Sequence, residues 1–424
     1  MRRAAAAFLL GFSLACGHAP SAPADARIST IGLDGHANAT PSLAARGQRL
    51  VLTWTASQPD GSAADVFAAV SRDSGRTFDA PVRVNDQPGT ARNSGEQAPR
   101  VAIGDDTIAV VWAAKQGSTS DVMYARSTDG GRTFSRGQAV HRSGLSGLRG
   151  WASIAIDRDR RIHVLWLDGR NATTAASTPM QMPMSHAAHV HGGDHAMSTS
   201  SPRQDLFHAT IDLDGRISEQ LVAADVCFCC KTAVVPRPDG STFVAWRHIF
   251  PGSARDIGSA LLSPTNDAPA TIARVSEDHW HLEACPDDGP AAVVDRTGGV
   301  HIAWPTLVGG HKAIFYAYAA DGRTFSARER VDADDEIDAN HPQIALTADG
   351  RVVVLWDEAT SGGTAVLARG KRLDTNRWDR QTSIAGDGDN RYPAATASDA
   401  GVIVAWTQKA ASGSRIAVET MTSF

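Results

Sequence analysis

Seven short stretches that each end in tryptophan decide the fold: RLVLTW at 49–54, TIAVVW at 107–112, RIHVLW at 161–166, TFVAW at 242–246, VHIAW at 300–304, VVVLW at 352–356 and VIVAW at 402–406. Each is rich in β-branched and aliphatic residues and bounded by a polar turn. That pattern belongs to strands, not helices. Successive tryptophans are 58, 54, 80, 58, 52 and 50 residues apart. The gap of 80, between Trp166 and Trp246, holds an insertion. Every unit continues into a second recurrent strand: DVFAAVSRD from Asp65, DVMYARSTD from Asp121, DLFHATIDLD from Asp205, DIGSALLS from Asp256, AIFYAYAAD from Ala313, TAVLARG from Thr364 and RIAVETM from Arg415.

A chain of 424 residues is too long for one ordinary compact core. Repeat folds escape that limit because each unit packs on its neighbours. Units of about 50 to 60 residues with four strands each predict an all-β β-propeller. Seven four-stranded blades is the leading count and six the alternative. The first blade is expected to start at Pro41. The last unit holds three strands before Phe424, and a strand at Arg27 to Ile31 is expected to supply the fourth. That pairing would close the ring and remove its open edges.

Charged residues are 21% of the chain and the net charge is −5, with no long run of one sign. Nucleic acid is therefore an unsuitable partner. The first sixteen residues read as a signal peptide: Arg2 and Arg3, then an apolar stretch from Ala4 to Leu14 that is too short to span a bilayer. Ser13-Leu14-Ala15-Cys16-Gly17 resembles a lipoprotein cleavage box. It implies an exported chain lipidated at Cys16, in the periplasm or at the outer membrane, touching the membrane through that anchor alone. The alternative is ordinary cleavage near Ala22-Pro23-Ala24. Residues 17–26 form an Ala/Pro-rich tether, and residues 27–424 the propeller.

Ser71-Arg72-Asp73-Ser74-Gly75-Arg76-Thr77-Phe78 and Ser127-Thr128-Asp129-Gly130-Gly131-Arg132-Thr133-Phe134 match S-x-D-x-G-x-T-F. Asp321-Gly322-Arg323-Thr324-Phe325 is a shortened copy. The chain thereby resembles the Asp-box, sialidase-like propellers over nearly all of residues 27–424. The resemblance implies that Ser71, Asp73, Gly75, Thr77 and Phe78, with Ser127, Asp129, Gly131, Thr133 and Phe134, build structural hairpins between third and fourth strands. It does not by itself imply activity. Sialidases use an Arg triad, a Tyr-Glu pair and an Asp acid. Their early F-R-I-P motif is absent here, and Tyr392 alone lies where a late nucleophile belongs.

The insertion, about 168–203, falls between second and third strands. It carries Met180, Met182, Met184, His186, His189, His191, His195 and Met197. Thioether and imidazole together suit copper, thioether especially Cu(I), whereas a polar loop of drifted composition is the plain alternative. Cys227, Cys229, Cys230 and Cys285 fall in loops between neighbouring units, with His248, His279 and His281 near in sequence. Three readings stay open for them: two disulfides, a thiolate metal site, or redox exchange. Loops between units also bring His36, Asn93, Glu96, Arg149, Trp151, His341 and Arg391 to that face. The leading expectation is an envelope-anchored propeller that binds copper for storage, delivery or protection, with metal ions and envelope copper-handling proteins as partners. Alternatives are an exo-sialidase-type glycoside hydrolase, a copper oxidoreductase, or a non-catalytic carbohydrate- or protein-binding propeller. No catalytic residue is assigned.

Overall fold

The computed structural model describes residues 28–172, 203–264, 269–282, 286, 288–386, 388–410 and 413–422. All regular structure among these residues is β-strand. Each tryptophan-ending stretch lies in the second strand of a repeat, hydrogen-bonded on both sides to strands of its own unit. In the first unit the order is Ala37–Arg46, Arg49–Ser57, Ala64–Ser71 and Val82–Arg83. The same up-and-down order recurs along the chain. The tightest connections are two-residue hairpin turns such as Gly117-Ser118 between Ile108–Gln116 and Thr119–Ser127.

The two ends of the chain meet in one sheet. Ser29–Ile31 pairs antiparallel with Gly413–Met421, in register Ser29↔Val418 and Ile31↔Ile416. Ala37 bridges Ser414 in parallel, so the first and last units form a single sheet that includes Trp54 and Trp406. The N-terminal strand thus joins the Trp406 unit, as expected. The first strand begins at Ala37 rather than Pro41, because Pro41 lies inside that strand at an irregularity between Ala39 and Ser42.

The core lies between adjoining units. Leu50, Trp54, Ile403 and Ile416 pack together from adjoining units, as do Val111, Trp166 and Phe207. Six of the seven repeat tryptophans are fully buried, and Trp112 is 4% exposed. A buried indole N–H must find an acceptor. The chain supplies one locally in six units: Asn38 for Trp54 at 3.0 Å, Asp168 for Trp166 at 3.0 Å, His248 Nδ1 for Trp246 at 3.2 Å, Asp278 for Trp304 at 2.7 Å, Glu358 for Trp356 at 2.9 Å and Asn390 for Trp406 at 3.0 Å. Trp112 Nε1 has no such partner.

The Asp-boxes turn the chain between third and fourth strands. Asp73 accepts from Ser71 Oγ at 2.8 Å, the Thr77 amide at 2.9 Å and Thr77 Oγ1 at 2.6 Å. Asp129 repeats the set with Ser127 Oγ at 2.8 Å, the Thr133 amide at 3.0 Å and Thr133 Oγ1 at 2.7 Å. These donors favour the charged carboxylate. They hold Asp73 down at about 2 although its burial acts the other way.

Candidate functional site

One repeat position builds the site. At the entry to the first strand of successive units stand Thr40, Ala98, Trp151, Lys231, Gly289, His341 and Tyr392. In four units the pairing slips here, between Ala39 and Ser42, Gly150 and Ser153, Asn340 and Gln343, and Arg391 and Ala394. Thr40, Trp151, His341 and Tyr392 sit in those slips at φ of 57°, 53°, 53° and 55°. Left-handed backbone costs on the order of 1–3 kcal/mol for a bulky residue and persists where surrounding structure enforces it. A bulge at a strand end re-aims a side chain out of the ladder. His341 and Tyr392, so aimed, border an open cleft of about 290 Å³, open solvent included, with Glu96, Arg100, Lys231 and Gln343.

The polar groups of this pocket form one network. His341 spans two carboxylates: Nδ1 to Asp357 at 2.9 Å and Nε2 to Glu96 at 2.8 Å. Burial would lower the His341 pKa, but the two carboxylates outweigh it and hold the ring well above the ordinary histidine value. Asp357 also accepts the Tyr392 amide at 2.7 Å, and the Tyr392 ring lies 4.5 Å from the His341 ring. Burial, then Glu96 and Asp357, push the Tyr392 phenol up. Opposite, Lys231 Nζ is 3.2 Å from Asp288 and donates to the Pro342 carbonyl at 2.8 Å. Asp288 in turn accepts the His341 amide at 2.6 Å. Burial would raise Asp288, and Lys231 and His341 hold it down. Burial lowers the Arg100 pKa, with Glu96 and Asp288 opposing. Gly95 is required beside Tyr392, since a Cβ there would lie 2.0 Å from the phenol oxygen. Arg100, Lys231 and His341 balance Glu96, Asp288 and Asp357 in formal charge, so the pocket combines dense fixed charge with near neutrality.

No family model matches the chain, and no curated protein does. Solved structures do. A ulvan lyase of a new polysaccharide lyase family superposes with a TM-score of 0.55 at 10% identity, covering 93% of this chain and 96% of that one. A protein of unknown function from Dyadobacter fermentans gives 0.50 at 14% identity, over 93% and 99%. The intramolecular trans-sialidase from Ruminococcus gnavus gives 0.50 at 12%, over 78% and 92%. The fold is that of the sialidase-like β-propellers. At such identities the likeness extends to the fold and stops there.

Of the cysteines, Cys227, Cys229 and Cys230 come together, all three buried, with sulfurs within 4.8 Å of one another. Cys229 is disulfide-bonded, while Cys227 and Cys230 are free. Cys285 and the whole Met180 to Met197 segment, with its four histidines, lie outside the described residues, as does Cys16. The nearby histidines do not join the sulfurs. His248 is held by the Trp246 indole and packs on Phe250. His281 Nδ1 meets the Gly252 carbonyl at 2.8 Å, and His279 is exposed beside Glu277. Among the inter-unit residues, Glu96 and His341 enter the pocket. Arg149 is tied to Asp168 at 2.9 Å, Arg391 pairs with Asp389, Asn93 donates to Ser57, and Trp151 packs on the cysteines. Asp168 is thus spent on Arg149, Arg170 and Trp166.

Arg100, Lys231, Asp288, Gln343 and Asp357 were missed by sequence reasoning. For Lys231 a signal was present: aligning units on their first strands brings the residue before Pro99, Pro342 and Pro393 into one column with it. A second pocket, of about 590 Å³, borders the stacked His163 and His208. Those rings are joined at 3.2 Å in a line from Asp157 to Gln220, a chain whose donors and acceptors satisfy each other.

Proposed function

We propose that this chain is a seven-bladed, ring-closed propeller that binds a saccharide and processes it by acid–base chemistry in the pocket around Tyr392, Glu96 and His341. The observation that carries this reading is the strained placement of His341 and Tyr392 at equivalent bulges, locked by Asp357 and Glu96. Thr40 and Trp151 share that backbone, so what sets this pair apart is the carboxylate bridge around His341 and the pocket that it borders with Tyr392. Tyr392 has the reactive role. Its half-buried phenol is a weak acid held beside a carboxylate and a cationic imidazole, and it exchanges a proton with the glycosidic region of a bound sugar. Arg100 and Lys231 position polar or anionic groups of that sugar. Gln343 adds a neutral hydrogen-bonding side chain.

A sialidase-type site needs a cluster of arginines facing the Tyr-Glu pair. Among the described pocket residues the pair is present but Arg100 is the one arginine, and Glu96 and Asp288 oppose its charge. General saccharide processing is therefore favoured over the exo-sialidase reaction. The test is a panel of neutral, uronate-containing and sialylated oligosaccharides, assayed for binding and cleavage with wild type and Tyr392→Phe. Binding without cleavage by the variant supports the role. Equal activity of both proteins overturns it.

Copper draws no support from the described residues: Cys229 is engaged in a disulfide, and no histidine donor joins the sulfurs within 4.8 Å. A copper role would have to rest on residues 180–197, and Cu(I) titration with and without them decides it, equal uptake ending that reading. Export and the Cys16 anchor are inferred from the N-terminal segment alone. Uptake of a fatty-acid label, lost in Cys16→Ala, tests them.

A further inference from the structure

Two thiols lie side by side where the third unit passes into the fourth. Cys227 closes the strand Ile217–Cys227, and Cys230 follows at C-x-x-C spacing. Their sulfurs are 3.9 Å apart, and each residue is 1% exposed. Cys229, already oxidised, has its sulfur 3.9 Å from that of Cys230, so oxidised and reduced sulfur share one cluster.

Two guanidiniums are buried with the thiols. Arg247 is 1% exposed and donates to the backbone carbonyls of Asp288, Arg255 and Pro305. Arg255 is 2% exposed, with Nη1 3.3 Å from Cys227 Sγ. Carbonyl oxygens satisfy the N–H groups of Arg247 but bring it no net negative charge. A thiolate at Cys227 brings counter-charge to this corner, and buried charge without it is costly. The Cys230 S–H, and then the two arginines, hold the Cys227 thiol below its usual range against the effect of burial. Burial and the neighbouring Cys227 push Cys230 up. One member of the pair is thus a prepared nucleophile and the other holds the proton.

We propose that Cys227 and Cys230 form a redox-active dithiol whose substrate is a small, uncharged disulfide. The Cys227 thiolate attacks one sulfur of that disulfide. The substrate S–S bond breaks, a mixed disulfide forms on Cys227, and the other half leaves as a thiolate that takes the Cys230 proton. Cys230 then attacks Cys227, the new S–S bond closes, and the second half leaves as thiolate. The protein loses two electrons and one proton, and the substrate becomes one thiol and one thiolate. Trp151, Phe228 and Ile249 cover the sulfurs. That apolar cover selects small, uncharged disulfides over charged ones such as oxidised glutathione.

The experiment uses 4,4′-dithiodipyridine on the folded full-length chain, with pyridinethione release followed by absorbance and peptide mapping to assign the cysteines. The expected result is two pyridinethiones from this pair and a Cys227–Cys230 linkage, with oxidised glutathione reacting far more slowly. Cys230→Ser is expected to release one and keep the adduct on Cys227. Arg255→Gln is expected to slow the first release several-fold, with near-ultraviolet circular dichroism confirming a native fold. If the folded wild type leaves both thiols unmodified while the unfolded chain reacts, the proposal is overturned. Stable adducts on both cysteines overturn it equally.

Discussion

Replacing His341 by Gln tests the charge bridge at the centre of the pocket. The His341 side chain is 19% exposed, Glu96 18% and Asp357 3%. Losing the ring leaves both carboxylates without their shared cation. Breaking a buried pair by removing one partner costs about 3–5 kcal/mol. Glu96 keeps some water and Asp357 keeps the Tyr392 amide, which places His341→Gln near the lower end, at about 3 kcal/mol. Because folding raises the His341 pKa above its unfolded value of about 6.5, its stabilisation is complete below that value. It is lost as pH rises through the higher folded value. The gap between wild type and variant should therefore be greatest near about pH 6 and shrink as pH rises. Urea unfolding followed by tryptophan fluorescence across that range reads it out. Combining His341→Leu with Glu96→Gln and Asp357→Asn should recover about half the loss, since no unpaired charge remains. A gap under about 1 kcal/mol at the acid end, or one that widens with pH, would refute the charged bridge.

Other perturbations address the rest of the account. Asp73→Ala removes three hydrogen bonds at an exposed turn and should cost on the order of 1 kcal/mol while leaving saccharide binding intact. Its effect should fade as pH falls through about 2, where the wild-type carboxyl protonates, and thermal unfolding at low pH checks this. Removing residues 27–31 takes away the strand paired with Gly413–Met421 and should raise aggregation measured by light scattering. An equally stable monomer would count against ring closure. Gly95→Ala places a Cβ 2.0 Å from the Tyr392 phenol oxygen, which must move. Saccharide affinity should drop with a stability loss of about 1–3 kcal/mol, and unchanged affinity would dissociate Tyr392 from the ligand.

The strands were legible because each carries its own period, and the tryptophan column marks the same register in every unit. The pairing of the N-terminal strand was legible too, since three strands in the last unit leave an edge to cover. The pocket was legible only in part. Glu96 and His341 stood out as unusual residues in inter-unit loops, and Tyr392 as the tyrosine where a late nucleophile belongs. Arg100 opens the strand Arg100–Ile103 and Gln343 lies within Ala339–Leu346, where sequence reads them as ordinary outward polar positions. Lys231 was overshadowed by the cysteines beside it, and Asp357 by the tryptophan before it. His248 illustrates the opposite error. It is near the cysteines in sequence, but the buried Trp246 indole needs an acceptor and takes its ring nitrogen. The state of the cysteines depends on which sulfurs meet in space, and spacing alone left that open.

The most direct test of the central claim is isothermal titration of wild type and Tyr392→Phe with the oligosaccharide that the panel identifies, coupled to a cleavage assay on the same samples. The expected result is a change in affinity within about threefold, because the phenyl ring of the variant still packs on His341, and a loss of turnover of at least about a hundredfold, the usual scale for removing a proton-transfer group. Turnover that survives in Tyr392→Phe, or the absence of binding to any saccharide of the panel, would contradict it.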